Sequence, residues 1–173
     1  MGEFGFISGN LEIKFLILYI ASRLVEPVPF EVLQDLAMCD GGVDYFGFSE
    51  CLADLVRTEH LEERGGLYAV TAKGRRNSGI CESSLPYSVR MQAERKLAQC
   101  NEQLKRRALV GASVQPRDGG GYEVTLSLSD ELDELMTLRL LVTRQDMALD
   151  IQNRFREHAE ELYARILADL YGG

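Results

Sequence analysis

Leu67-Tyr68-Ala69-Val70-Thr71-Ala72-Lys73-Gly74-Arg75-Arg76 is the stretch that decides how the first half of this chain is read. Tyr68 and Val70 alternate with small or polar neighbours, as a half-buried strand requires. Just before them, Gly65-Gly66 supplies the positive φ values of a tight hairpin, and Leu61-Glu62-Glu63-Arg64 is the matching strand. Thr71 is placed to cap a short helix over Ala72 to Asn77, and Lys73, Arg75 and Arg76 bring three cations within four residues. After a helix-turn-helix pattern, this order reads as a winged helix, with the cations beside the wing where a DNA phosphate backbone would run.

The preceding residues fit that pattern. A first helix runs from Asn10, a candidate cap, to about Leu24, and it is apolar nearly all round, which predicts a central, buried position. Pro27 and Pro29 break the chain, and Phe30 to Ala37 makes a second helix with Pro29 at its start. Asp40-Gly41-Gly42-Val43-Asp44 is turn chemistry, and a third helix follows from about Tyr45 to Thr58. Phe48, Cys51, Leu52, Leu55 and Val56 form its inner face, while Phe46, Ser49, Glu50, Ala53, Asp54 and Arg57 point outward. This helix holds the recognition position. Ser49 and Arg57 are its candidates for base edges, and Arg64, Lys73, Arg75 and Arg76 for phosphates. Glu50, Asp54 and Arg57 read equally as a solvated i, i+3, i+4 charge pattern.

Residues 1–79 are thus expected to form the winged helix-turn-helix, residues 80–84 a linker, and residues 85–173 an α-β-β-β-α domain, giving an α+β protein. Pro86 opens a long helix to about Arg107 with Val89, Ala93, Leu97, Cys100 and Leu104 on one narrow stripe, a packing or dimer seam. Ala108 to Val114 and Tyr122 to Leu128 form a hairpin across Gly119-Gly120-Gly121. A strand follows these glycines, with no Lys-Ser/Thr pair, so they make a turn and not a phosphate loop. Met136 to Thr143 is a third strand. A last helix spans 145–171 with an apolar side that includes Phe155, Leu162, Ile166 and Leu170, the expected homodimer interface.

Charge argues against a simple DNA binder: 19 Lys and Arg face 27 Asp and Glu, a net charge of −8. Residues 1–79 hold 7 basic and 12 acidic side chains and residues 80–173 hold 12 and 15, so neither half is basic. Binding to double-stranded DNA would rest on local cations doubled by dimerisation. The sign also suits a different class, a winged helix that docks a protein through its acidic third helix and the apolar final helix. A sensor whose second domain takes a small effector is a further alternative, with no polar cluster to identify the ligand.

Cys39, Cys51, Cys81 and Cys100 form no Cys-x-x-Cys pair, and His60 and His158 have no second ligand at helical spacing, so no metal or other cofactor is expected. Cys81, in a polar stretch, is the one thiol where redox sensing is conceivable. No nucleophile motif or zinc-protease motif appears, and an enzyme is not expected. The longest apolar run, Phe15 to Ala21, is far short of the roughly 20 residues of a spanning helix. No membrane partner and a cytoplasmic location are the expectation.

Phe4-Gly5-Phe6-Ile7, Leu16-Ile17-Leu18-Tyr19-Ile20, Asp44-Tyr45-Phe46, Glu50 to Val56, Thr71-x-Lys73-Gly74-Arg75-Arg76 and above all Glu82-Ser83-Ser84-Leu85-Pro86-Tyr87-Ser88 carry a resemblance. Across nearly its whole length the chain resembles a clostridial-type family of small proteins of unknown function. Its members are described as winged-helix transcriptional regulators. The resemblance implies DNA binding and supplies no operator, ligand or catalytic residue. Within Glu82 to Ser88, Ser83 or Ser84 is a candidate cap and Pro86 a helix start. The same loop is also a candidate to touch DNA or an effector.

Overall fold

The structure, a computed structural model, describes Ile7 and residues 9–172. The quoted residues Phe4 to Phe6 lie outside this range. The protein is of mixed α+β type, with six α-helices and two three-stranded antiparallel sheets among the described residues. It divides into two units, Met1–Leu104 and Lys105–Gly173.

In the first unit α1 (Asn10–Ala21) is the central element, as its uniform apolarity predicts. Leu16, Ile17, Leu18, Tyr19 and Ile20 are all buried. Gly9 is the residue at its N-terminal boundary, and no side chain caps the helix, so the cap expected from Asn10 is not formed. Around α1 pack α2 (Phe30–Ala37), α3 (Tyr45–Arg57) and α4 (Ala72–Cys81). Asp44 caps α3 by accepting from the Gly47 amide at 2.8 Å. A small sheet of order β1-β3-β2 joins β1 (Val28–Pro29), β2 (Leu61–Arg64) and β3 (Leu67–Val70). β2 and β3 are the expected hairpin, with Gly65 and Gly66 at φ 60° and 81°. β1 is new: a two-residue strand whose Val28 lies between Pro27 and Pro29 has no readable period, yet Val28 pairs with Tyr68.

The division of the chain differs from the expected one. α4 continues to Cys81 and a 3-10 turn covers Glu82–Ser84, so residues 80–84 are not a free linker. Leu85 is buried, and α5 (Tyr87–Ala108) lays Val89, Ala93, Leu97 and Leu104 into the same core as α1. The stripe on α5 is therefore an internal packing seam. Polar bonds fasten it further. Asn101 donates to the Arg23 carbonyl at 2.8 Å and accepts from the Val25 amide at 3.1 Å.

The second unit is a meander of β4 (Val110–Pro116), β5 (Tyr122–Ser129) and β6 (Glu134–Val142), followed by α6 (Gln145–Tyr171). α6 crosses one face of the sheet, where Val124, Leu126 and Leu128 of β5 meet Ala148, Phe155 and Ala159. Strand alternation leaves the other face polar. Non-helical torsions at His158 (φ −129°, ψ 24°) kink α6 in mid-course.

Candidate nucleic-acid interface

The local chain folding at the end of α3 places the site. Thr58 closes the helix, Glu59 takes φ 59°, and the amides of Glu59 and His60 bond back to Val56 and Leu55 at 3.0 and 2.8 Å. That is a Schellman closure with glutamate where glycine is the usual choice. β2 then starts at Leu61, and the Thr71 hydroxyl accepts from the Gly74 amide at 3.1 Å to begin α4. Gly74 permits the approach: a Cβ there would stand 2.0 Å from the His60 carbonyl oxygen. α4 is thereby pressed onto the α3–β2 corner.

His60 is the polar centre of that corner. Its Nε2 lies 2.7 Å from Asn77 Nδ2 and its Nδ1 lies 2.9 Å from the Thr58 hydroxyl. The Asn77 amide donates, so Nε2 accepts; Thr58 Oγ1 already donates to the Asp54 carbonyl at 2.7 Å, so Nδ1–H donates to it. Burial and the Lys73 ammonium hold the imidazole below its ordinary pKa. His60 is a neutral structural link, as its helix-end position suggests.

The expected DNA-contacting side chains lie on this half of the unit, but most already have intramolecular partners. Lys73 Nζ donates to the Thr58 carbonyl at 2.8 Å, at the negative end of α3. Arg75 donates to the Ser22 carbonyl at 3.2 Å, at the end of α1. Arg64 pairs with Glu62 at 2.7 Å, and Arg57 grips Asp54 through Nε and Nη2 at 3.2 and 2.6 Å. Ser49 turns its hydroxyl back onto the Tyr45 carbonyl one turn earlier, at 2.8 Å. Arg76 alone of the five cations is exposed and without a bond partner among the described residues.

The outward face of α3 is mixed. Lys14 of α1 reaches Asp54 at 2.7 Å, and Lys14 and Arg57 together hold that carboxyl down at about 2. Glu50 is exposed, and Phe46 at the start of the helix is 82% exposed, an aromatic standing in solvent. Sequence reasoning saw Arg57 but not Lys14. Its cation joins the site from a different helix, and no local spacing reveals it.

The Glu82 segment is structural in its contacts. Arg23 donates to Glu82 at 2.8 Å and lies over the Tyr19 ring, while Arg90 approaches the other carboxylate oxygen at 3.7 Å. Tyr19 in turn donates to Glu94 at 2.6 Å, and burial with that bond pushes its phenol up to about 12. Cys81 is half-buried and its thiol is pushed up by burial, the opposite of the shift that makes a reactive thiolate. Cys39 is pushed up to about 11, again by burial first.

In the second unit, Phe155 is 3% exposed and packed on its own sheet, so it offers no surface to another subunit. Leu162 is half-buried against the same core, Ile166 is half-buried, and Leu170 is 79% exposed. No group of three or more His, Cys, Asp or Glu side chains is placed to hold a metal among the described residues, and no helix is long and apolar enough to cross a membrane.

No curated protein and no solved structure matches this chain in the comparisons made. A family model does, over residues 13–170, from α1 to the end of α6. The chain belongs to the family described as Domain of unknown function (DUF4364).

Proposed function

We propose that residues 1–79 act as a winged helix-turn-helix and that the protein is a DNA-binding transcriptional regulator working as a homodimer. The observation that carries this reading is the connection order. Three helices are followed by a β2–β3 hairpin, with β1 completing a β1-β3-β2 antiparallel sheet. α3 stands third, where such a fold would place its recognition helix, and the glycine hairpin follows where it would place a wing. Exposed Arg76, and the outer parts of Arg57, Arg64, Lys73 and Arg75, supply the positive charge. Lys73 and Arg75 would do so from fixed positions, because each is anchored to a helix end.

The test is retention of genomic fragments by the purified protein at two salt concentrations. Selective, salt-sensitive retention is expected. Arg76→Ala should weaken all fragments alike and lower the slope of log affinity against log salt by about one. It is a cleaner probe than Arg75→Ala, which would also loosen the α1–α4 joint.

A second reading is favoured by the face of α3 itself. Glu50 is exposed, Arg57 is tied to an Asp54 that it shares with Lys14, and Phe46 stands in solvent, a surface suited to a protein partner. Absence of retention even at low salt, with a stable heterologous partner recovered in a pull-down, would move the assignment there.

A further inference from the structure

An open groove of about 450 Å³ runs between the sheet and α6 in the second unit. Leu138 and Leu140 of β6 line one side and Ile151 and Leu162 of α6 the other, over Leu126 and Phe155, which are buried at its base. All six side chains are apolar, and the volume falls within the roughly 300–1,000 Å³ of small-molecule sites.

The polar side chains at the groove all come from α6. Arg154, His158, Glu161 and Arg165 are spaced four, three and four residues apart and so form one stripe. Three of them have partners: Arg154 pairs with Asp150 at 3.1 Å, and His158 Nδ1 lies 3.4 Å from the Glu161 carboxylate. Arg165 differs. Glu161 and Asp169 stand four residues to either side of it, at the spacing of helical ion pairs, yet among the described residues it bonds neither of them nor any other group. The charge left unanswered at this apolar groove is therefore a guanidinium. The groove also spans the kink at His158, with Ile151 and Arg154 before it and Leu162 and Arg165 after it. An occupant would touch both halves of α6.

We propose that the groove binds a small amphipathic carboxylic acid, its aliphatic body laid against the leucines and its carboxylate held by Arg165. The apolar sides lose contact with water on covering a hydrocarbon body, and the planar guanidinium offers a carboxylate two parallel N–H donors. An amine would bring like charge to Arg165, and an alcohol would forgo the charge-assisted bonds. Sign and shape thus select the same ligand class. The site lies wholly within the second unit, and it gives that unit a ligand chemistry for a sensor role, whether or not the first unit binds DNA.

Calorimetric titration of the full chain with decanoate, decanol and decylamine tests the assignment. Decanoate is expected to bind saturably and about tenfold more tightly than decanol, with decylamine weaker still. Arg165→Ala should bring decanoate down to the affinity of decanol, and Arg165→Lys should recover part of the difference. Leu140→Glu, at a position 39% exposed, should abolish binding by setting a carboxylate on the apolar side, and far-UV circular dichroism checks that each variant folds. Hydrogen exchange of the unaltered chain locates the site without any substitution: decanoate should protect β6 and α6 on both sides of His158. Equal affinity for the three probes, decanoate binding indifferent to Arg165→Ala, protection confined to other elements, or no saturable binding by about 1 mM overturns the proposal. Fragment retention is read separately, so each of these results leaves the DNA-binding reading to its own test.

Discussion

Among the described residues, the first unit buries 23 hydrophobic residues in one cluster around α1, whereas the second buries six between one helix and one face of a sheet. In the first, a helix apolar on all sides is enclosed by other helices and the small sheet, and the polar groups at the rim serve mainly to lock helix ends. In the second, a thin core leaves a groove uncovered. Burial scales with the number of layers around an element, and the two-layer unit has the less redundant core. Interaction surface follows the same contrast: the first unit offers scattered charges on a firm frame, the second an open groove.

The sharpest way to break this contrast is to remove one large core side chain from each unit. Leu16→Ala should cost about 2–5 kcal/mol and Phe155→Ala about 3–5 kcal/mol. Phe155 is one of only six buried hydrophobic residues in its cluster, so its loss should release the amides of β4, β5 and β6 to hydrogen exchange while those of α1 stay protected. Release of both sets together would mean that the two cores unfold as one.

Next in size is Gly74→Ala. Its Cβ meets backbone at 2.0 Å, so α4 must shift, and about 1–3 kcal/mol should be lost in a urea titration. An unchanged midpoint would show that the α3–β2–α4 corner is looser than its geometry. Glu59→Gly acts at the same corner with opposite sign. It relieves a non-glycine residue at φ 59° and should add about 0.5–1 kcal/mol, less the entropy that glycine gives the unfolded chain.

The smallest effect is a pH slope. The folded state holds His60 below its ordinary value of 6.5, so the unfolded chain binds the proton more readily. Stability from this group is complete above 6.5 and is lost as pH falls through the lower folded value. His60→Gln should flatten the dependence of the urea midpoint between about pH 7 and 5. An unaltered slope would assign it to other groups.

Much of the secondary structure was legible in the residues. The Gly65-Gly66 hairpin, the Thr71 cap and the α-β-β-β-α order after Pro86 all follow from local turn chemistry and period, and all are present. β1 was not legible, since Val28–Pro29 is a strand solely because β3 lies beside it. The candidate site was legible as a set of positions but not as a set of free charges. Lys73 and Arg75 read as available cations until the ends of α3 and α1 are brought to them, and Lys14 enters the site from a helix with no local link to it.

By itself the sequence determined the mixed α+β composition, the central place of α1 and the burial of one stripe on α5, because apolar period and length set which faces leave water. Tertiary structure alone decided what each face meets. The α5 stripe joined the core of α1, which moved the division of the chain to follow Leu104, and Phe155 was taken into its own sheet's core. An amphipathic pattern states that a surface must be covered. It carries no information about which of several apolar surfaces will cover it, since the hydrophobic effect is non-directional and the choice is made by connection and shape.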